Sequence, residues 1–150
     1  NRRIEAAAWL KAEVEKQFGD KIAAVFTKAE IADLPAPTGN PALWTLAQRV
    51  RASFVPDRSG DIYIALLNGQ QPMPAGIRGY VATHGSLWDY DRRVPLLFWR
   101  KGMTPFEQPL PVETVDILPT LGSLIGVPVP ADSVDGRCLD LDAGPNSTCK

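Results

Sequence analysis

One histidine, His84, serves the whole 150-residue chain. A catalytic zinc ordinarily takes three protein ligands, and a catalytic nucleophile needs an activating partner, so one imidazole cannot be a complete active site. Net charge is equally scarce. The 16 basic and 17 acidic side chains leave −1 overall, which gives no electrostatic footprint for a polyanion, and no nucleic-acid binding is expected. No apolar stretch approaches the roughly 20 residues that cross a bilayer. The strongest, "IYIALL" at 62–67, predicts a buried strand and no membrane span. Neither a Cys-x-x-Cys pair nor a glycine-rich phosphate loop is present. Ser86 and Thr83 flank His84, but without a second histidine to activate either one a hydrolase triad is not expected. The chain opens at Asn1 without a basic leader and apolar segment, a start that processing or truncation is expected to have set.

What remains is the composition of a soluble globular domain: 45% hydrophobic and 22% charged residues suit one compact unit, read here as a single domain over 1–150. In "RRIEAAAWLKAEVEKQFG" the residues Ala7, Leu10, Val14 and Phe18 recur at helical spacing, which predicts an amphipathic helix stopped by Gly19 in a left-handed conformation. "KIAAVFT" (21–27) reads as a strand, followed by a connection through Pro35 and Pro37. A second helix is predicted from an Asn40 cap with Pro41 in its first turn, burying Leu43, Leu46, Ala47, Val50 and Phe54 on one face. "DIYIALLNG" has the content of a strand buried on both faces, ended by Asn68-Gly69. "YVAT" (80–83) is strand-like, and "VPLLFW" (94–99) predicts another strand, with Pro95 at its start or on an edge. A last helix is expected from Asp116, whose carboxylate can cap it, to Gly126. Helices alternating with strands predict an α/β fold, a mixed sheet with packed helices.

The two cysteines, Cys138 and Cys149, lie in the turn-rich "GRCLDLDAGPNSTCK". Their spacing permits a disulfide across a short loop, worth roughly 2–3 kcal/mol by chain entropy, and such a bond belongs to an oxidising compartment. A pair of reduced surface thiols is the alternative. For His84, a hydrogen-bonded structural role competes with a functional one. Its place between "YVAT" and Gly85 suits a loop at a strand end, where open α/β sheets carry their sites. Asp89 and Asp91 follow closely, and either could orient the imidazole through its second nitrogen. They could instead pair with Arg92 or Arg93, or cap the local turn. Trp88 and Tyr90 either pack on the sheet or, with "QPMPAGIRGY", form a contact surface.

The segments "ATHGSLWDYDRRVPLLFW" and "VETVDILPTLGSLIGVPVPADSVDGRCLDL" resemble the C-terminal part of bacterial alkaline phosphatases. Within the alkaline phosphatase superfamily, the segments most resemble the branch close to nucleotide pyrophosphatases and phosphodiesterases. The resemblance covers about residues 60–142. It implies a phosphomonoester hydrolase with a pair of zinc ions, periplasmic or secreted, and assigns to His84 the role of a zinc ligand, with Pro95 matching a later proline. Asp89 is the candidate to orient that imidazole. The nucleophile and the other ligands have no counterpart here. The 150 residues are therefore expected to be a C-terminal fragment of a larger phosphatase catalytic domain, inactive alone, whose substrate is a phosphate ester met through the parent chain. Such a fragment is expected to cover its exposed sheet edge or apolar face by self-association. The competing readings are a noncatalytic binding domain and part of a phosphodiesterase or sulfatase relative.

Overall fold

The computed structural model describes residues 2–73 and 83–150. The chain forms two compact units, Asn1–Val94 and Pro95–Lys150. Both mix helix or helical turns with extended chain, and the only sheet among the described residues is a two-stranded antiparallel one in the first unit, a small arrangement consistent with the α/β class. Among the described residues, no helix is long and apolar enough to cross a membrane.

The first unit begins with helix α1, Arg2–Phe18. It contains neither glycine nor proline, and Glu5 in its first turn and Lys16 in its last complement the helix dipole. Its apolar face is only partly covered, since Ala7 and Val14 are half-buried while Leu10 and Phe18 are 44% and 47% exposed. Gly19 also departs from expectation. It opens a 3-10 turn, Gly19–Lys21, and is not among the described glycines with positive φ.

Strand β1, Ile22–Thr27, pairs with β2, Ile62–Leu66, through Val25 opposite Ile64 and Phe26 opposite Tyr63, with an irregularity between Ile22 and Ala24. Burial of β2 on both faces is not observed. Ala65 is buried, but Ile64, on the opposite face, is 44% exposed, the pattern of an antiparallel sheet packed mainly on one face. Where the sequence predicts only a connection after residue 27, the chain forms α2, Lys28–Asp33. Its start is a capping box: Thr27 Oγ1 accepts the Glu30 N–H, and the Glu30 carboxylate accepts the Thr27 N–H at 2.7 Å. The predicted second helix divides. Asn40 caps only the 3-10 turn Pro41–Leu43, and α3, Leu46–Ala52, starts anew at a second capping box between Thr45 and Gln48. Leu43 is consequently 79% exposed, whereas Val50 and Phe54 enter the core with Ile31, Ala65 and Leu87. Asp89–Arg92 forms the single turn α4. Of "YVAT", residues 80–82 lie outside the described residues, as does most of "QPMPAGIRGY".

In the second unit "VPLLFW", which starts at the last residue of the first, is not a strand. It runs without ladder partners among the described residues, and Leu97 and Trp99 are 88% and 84% exposed. Pro95 lacks an N–H to donate, and an apolar run without a neighbouring strand has no ladder to join. A 3-10 turn, Thr114–Asp116, leads into α5, Ile117–Ile125, which ends at Gly126 in the left-handed conformation (φ 73°). Asp116 does not cap α5. Its carboxylate, in a residue 3% exposed, accepts the N–H groups of Glu113 (2.9 Å) and Arg137 (2.8 Å), tying the start of the helix to the chain 21 residues on. Thr120, fully buried, donates to the Asp116 carbonyl at 2.6 Å and accepts the Leu139 N–H at 2.9 Å. Gly136 lies so close to the Val115 carbonyl that no Cβ fits there.

Candidate functional site

The histidine lies in the first unit, on the loop entering α4. Gly85 has φ 94°, a conformation glycine adopts without the steric cost a side chain would bring, which accounts for the His-Gly order at this bend. Beyond it the loop is fastened. Asp91 accepts the Ser86 N–H, Ser86 Oγ accepts the Trp88 N–H at 3.4 Å, and Leu87 is buried in the core at 7% exposure. Trp88 donates its indole N–H to the Leu66 carbonyl at the end of β2, 3.0 Å away. That contact places Trp88 against the sheet, while Tyr90 is 57% exposed.

Arg49 of α3 holds the other side of this segment. Its Nε donates to the Trp44 carbonyl at 3.0 Å, Nη1 to the Leu87 carbonyl at 2.9 Å, and Nη2 pairs with the Asp89 carboxylate at 3.0 Å. The planar fork of a guanidinium suits three such acceptors around its edge, and an ammonium does not. Arg92 reaches the same Asp89 carboxylate at 3.5 Å, donates to the Pro41 carbonyl at 3.3 Å, and lies over the Trp44 ring, 5.9 Å from its centroid. Trp44 in turn is fixed by its indole N–H on the Thr38 carbonyl at 3.1 Å.

His84 itself is exposed. Asp89, placed by sequence beside the imidazole, has its carboxylate on Arg49 and Arg92, and Asp91 serves the loop backbone. Sequence proximity therefore suggests a carboxylate–imidazole contact, while the geometry shows carboxylates that shape the histidine's loop. Among the described residues no cluster of three or more His, Cys, Asp or Glu could hold a metal ion. An exposed imidazole beside a fastened loop fits one ligand position, and the donors around it fit no more than that. Arg49 is the residue that the sequence pattern does not reveal, since 38 residues separate it from Leu87.

Elsewhere in the first unit, an open groove of about 580 Å³ runs between α1 and α2. Arg3 pairs with Asp61 at 2.8 Å and Lys11 with Glu30 at 2.6 Å along it. The hydrogen bond from Lys11, helped by the Thr27 N–H, holds the Glu30 carboxyl below the usual glutamate range, and burial pushes the Tyr63 phenol up. In the second unit Cys138 and Cys149 form a disulfide with a Cα–Cα distance of 5.7 Å. Inside the ring it closes, the N–H groups of Thr148 and Asp142 hold the Asp140 carboxyl below its ordinary range.

In sequence the chain is similar to alkaline phosphatases, and the likeness extends through the upstream helices that the motifs do not reach. It is 56% identical over 146 residues, 97% of its length, to alkaline phosphatase PhoK of Sphingomonas sp.. To alkaline phosphatase PhoD of Zymomonas mobilis subsp. mobilis it is 52% identical over 129 residues, 86% of its length. The chain spans about a quarter of these relatives, 25% of the first and 22% of the second. No family model matches it.

Proposed function

We propose that this chain is part of a zinc-dependent phosphomonoester hydrolase of the alkaline phosphatase type, and that His84 supplies one of its zinc ligands. The observation that carries the reading is 56% identity, over nearly the whole chain, to a protein named alkaline phosphatase. The exposed imidazole, next to a glycine bend and a loop fastened at Ser86, Leu87 and Trp88, supports the ligand role. A neutral ring nitrogen is the donor, and the opposite nitrogen needs an acceptor to fix the tautomer. On this reading the remaining ligands and the nucleophile lie outside this segment, which spans about a quarter of the relatives' length. Zinc at such a site supplies Lewis-acid chemistry to a phosphate ester.

The reading places the parent protein in the branch near nucleotide pyrophosphatases and phosphodiesterases, and in the periplasm or outside the cell, a location the disulfide supports. It also makes the 150-residue chain inactive alone, with exposed Leu97 and Trp99 among the side chains that self-association would cover. The test is hydrolysis of p-nitrophenyl phosphate and of its bis-ester, with zinc content, on the phosphatase chain that carries this segment and on its His84→Ala variant. Monoester turnover and bound zinc, both lost on substitution, are expected. Zinc content and turnover unchanged by His84→Ala would overturn the ligand role.

A further inference from the structure

We infer that Arg49 is a positioning residue for His84, an inference that rests on the ligand role proposed above. An exposed imidazole gains little orientation from packing around its own ring, so its direction depends on the backbone that carries it. That backbone is fastened at three points within a few residues: the Ser86 N–H on Asp91, the Leu87 carbonyl on Arg49, and the Trp88 indole on the Leu66 carbonyl. The Asp91 bond reaches only the short α4 that follows directly, and the Trp88 bond reaches the end of β2. Of the three, the Arg49 bond is the one that ties the segment to α3.

The Arg49 side chain is 12% exposed, and its three bonds join parts of the chain that Arg92, on Pro41 and Trp44, and the packing of Leu87 also hold together. The Trp44 carbonyl precedes α3, the Leu87 carbonyl immediately precedes Trp88, and the Asp89 carboxylate opens α4. Rigid support of this kind decides whether a ligand is held in its productive geometry or left to wander by an ångström. Asp89 then has a part different from contact with the imidazole. It is the counter-ion that keeps the guanidinium in place, shared with Arg92.

The experiment compares zinc affinity, measured by chelator competition, and hydrogen exchange over residues 83–92. The phosphatase chain carrying this segment is tested as wild type, His84→Ala, Arg49→Gln, Asp89→Asn and Ile31→Val. Arg49→Gln is expected to weaken zinc binding about 10- to 100-fold, the range for groups that orient a ligand, with faster exchange in the loop. Asp89→Asn is expected to act in the same direction but less, and it keeps the inference testable if Arg49→Gln does not fold. Ile31→Val, a buried substitution in the same core at 2% exposure, reports the effect of lost stability alone and is expected to leave zinc affinity unchanged. If His84→Ala abolishes tight zinc binding while Arg49→Gln and Asp89→Asn bind as wild type, the positioning role is wrong and the ligand role stands. If Ile31→Val weakens binding as much as Arg49→Gln at equal loss of stability, Arg49 acts only through folding. If His84→Ala binds zinc as wild type does, both readings fall.

Discussion

Replacing Thr120 by valine keeps the volume and branching of the side chain and removes only its hydroxyl. The residue is fully buried, and the hydroxyl both donates to the Asp116 carbonyl and accepts the Leu139 N–H. Valine and threonine have similar helix propensities, so the change in α5 itself nearly cancels. What does not cancel is the Leu139 N–H, left facing a methyl group. A buried donor without an acceptor costs about 1–3 kcal/mol, against about 1 kcal/mol for an ordinary lost bond. Thr120→Val is therefore expected to destabilise by about 2 kcal/mol. Thr120→Ser keeps both bonds and loses one methyl, which costs about 0.8 kcal/mol by burial. Urea denaturation followed by circular dichroism measures both, and exchange of the Leu139 amide reads the bond itself. Equal stability of the two variants, with Leu139 equally protected in both, would refute the assignment of Thr120 as the pin between α5 and the following chain.

Three further outcomes follow from the geometry. Gly136→Ala puts a Cβ against the Val115 carbonyl and the Asp116 nitrogen, backbone atoms that cannot swing aside, and should cost at least about 2 kcal/mol. Gly19→Ala, with nothing within 4 Å of the added carbon, should stay within about 1 kcal/mol of wild type in the same denaturation assay. Glu30 has its carboxyl depressed by Lys11 and by the Thr27 N–H. Its contribution is therefore complete above the ordinary glutamate pKa and disappears as pH falls through the lowered folded value. Glu30→Gln should be less stable than wild type near neutrality, by under about 1 kcal/mol because the side chain is 48% exposed. The gap should close in acid, and a gap that widens on acidification would contradict the sign.

Local chemistry was legible where it was self-contained. β1 and β2 stand where β-branched runs and Asn68-Gly69 place them, α5 ends at Gly126, and the two cysteines join. The short α2 was also within reach, since Thr27-x-x-Glu30 is a helix-start signal, but Pro35 and Pro37 draw attention to the connection beyond it. Apolar periodicity places α1 correctly but misleads at 94–99, because it reports which side chains suit burial and not whether a neighbour arrives to bury them. Gly19 fits a helix stop by type, yet the chain turns there through a 3-10 bend. The histidine's loop was legible as a motif. Its support was not, because Arg49 meets Leu87 and Asp89 only through tertiary structure.

The Cys138–Cys149 bond also decides what a protease can do to this end of the chain. Residues 142–147 within the ring are exposed, the kind of loop where nicking concentrates. A single cut there adds one water and frees no peptide, because the sulfur bridge joins both sides. Ser123 adds a second hold, donating to the Thr148 carbonyl at 2.7 Å and accepting the Lys150 N–H at 2.9 Å. Nicked and intact molecules would then migrate together until a reductant separates them.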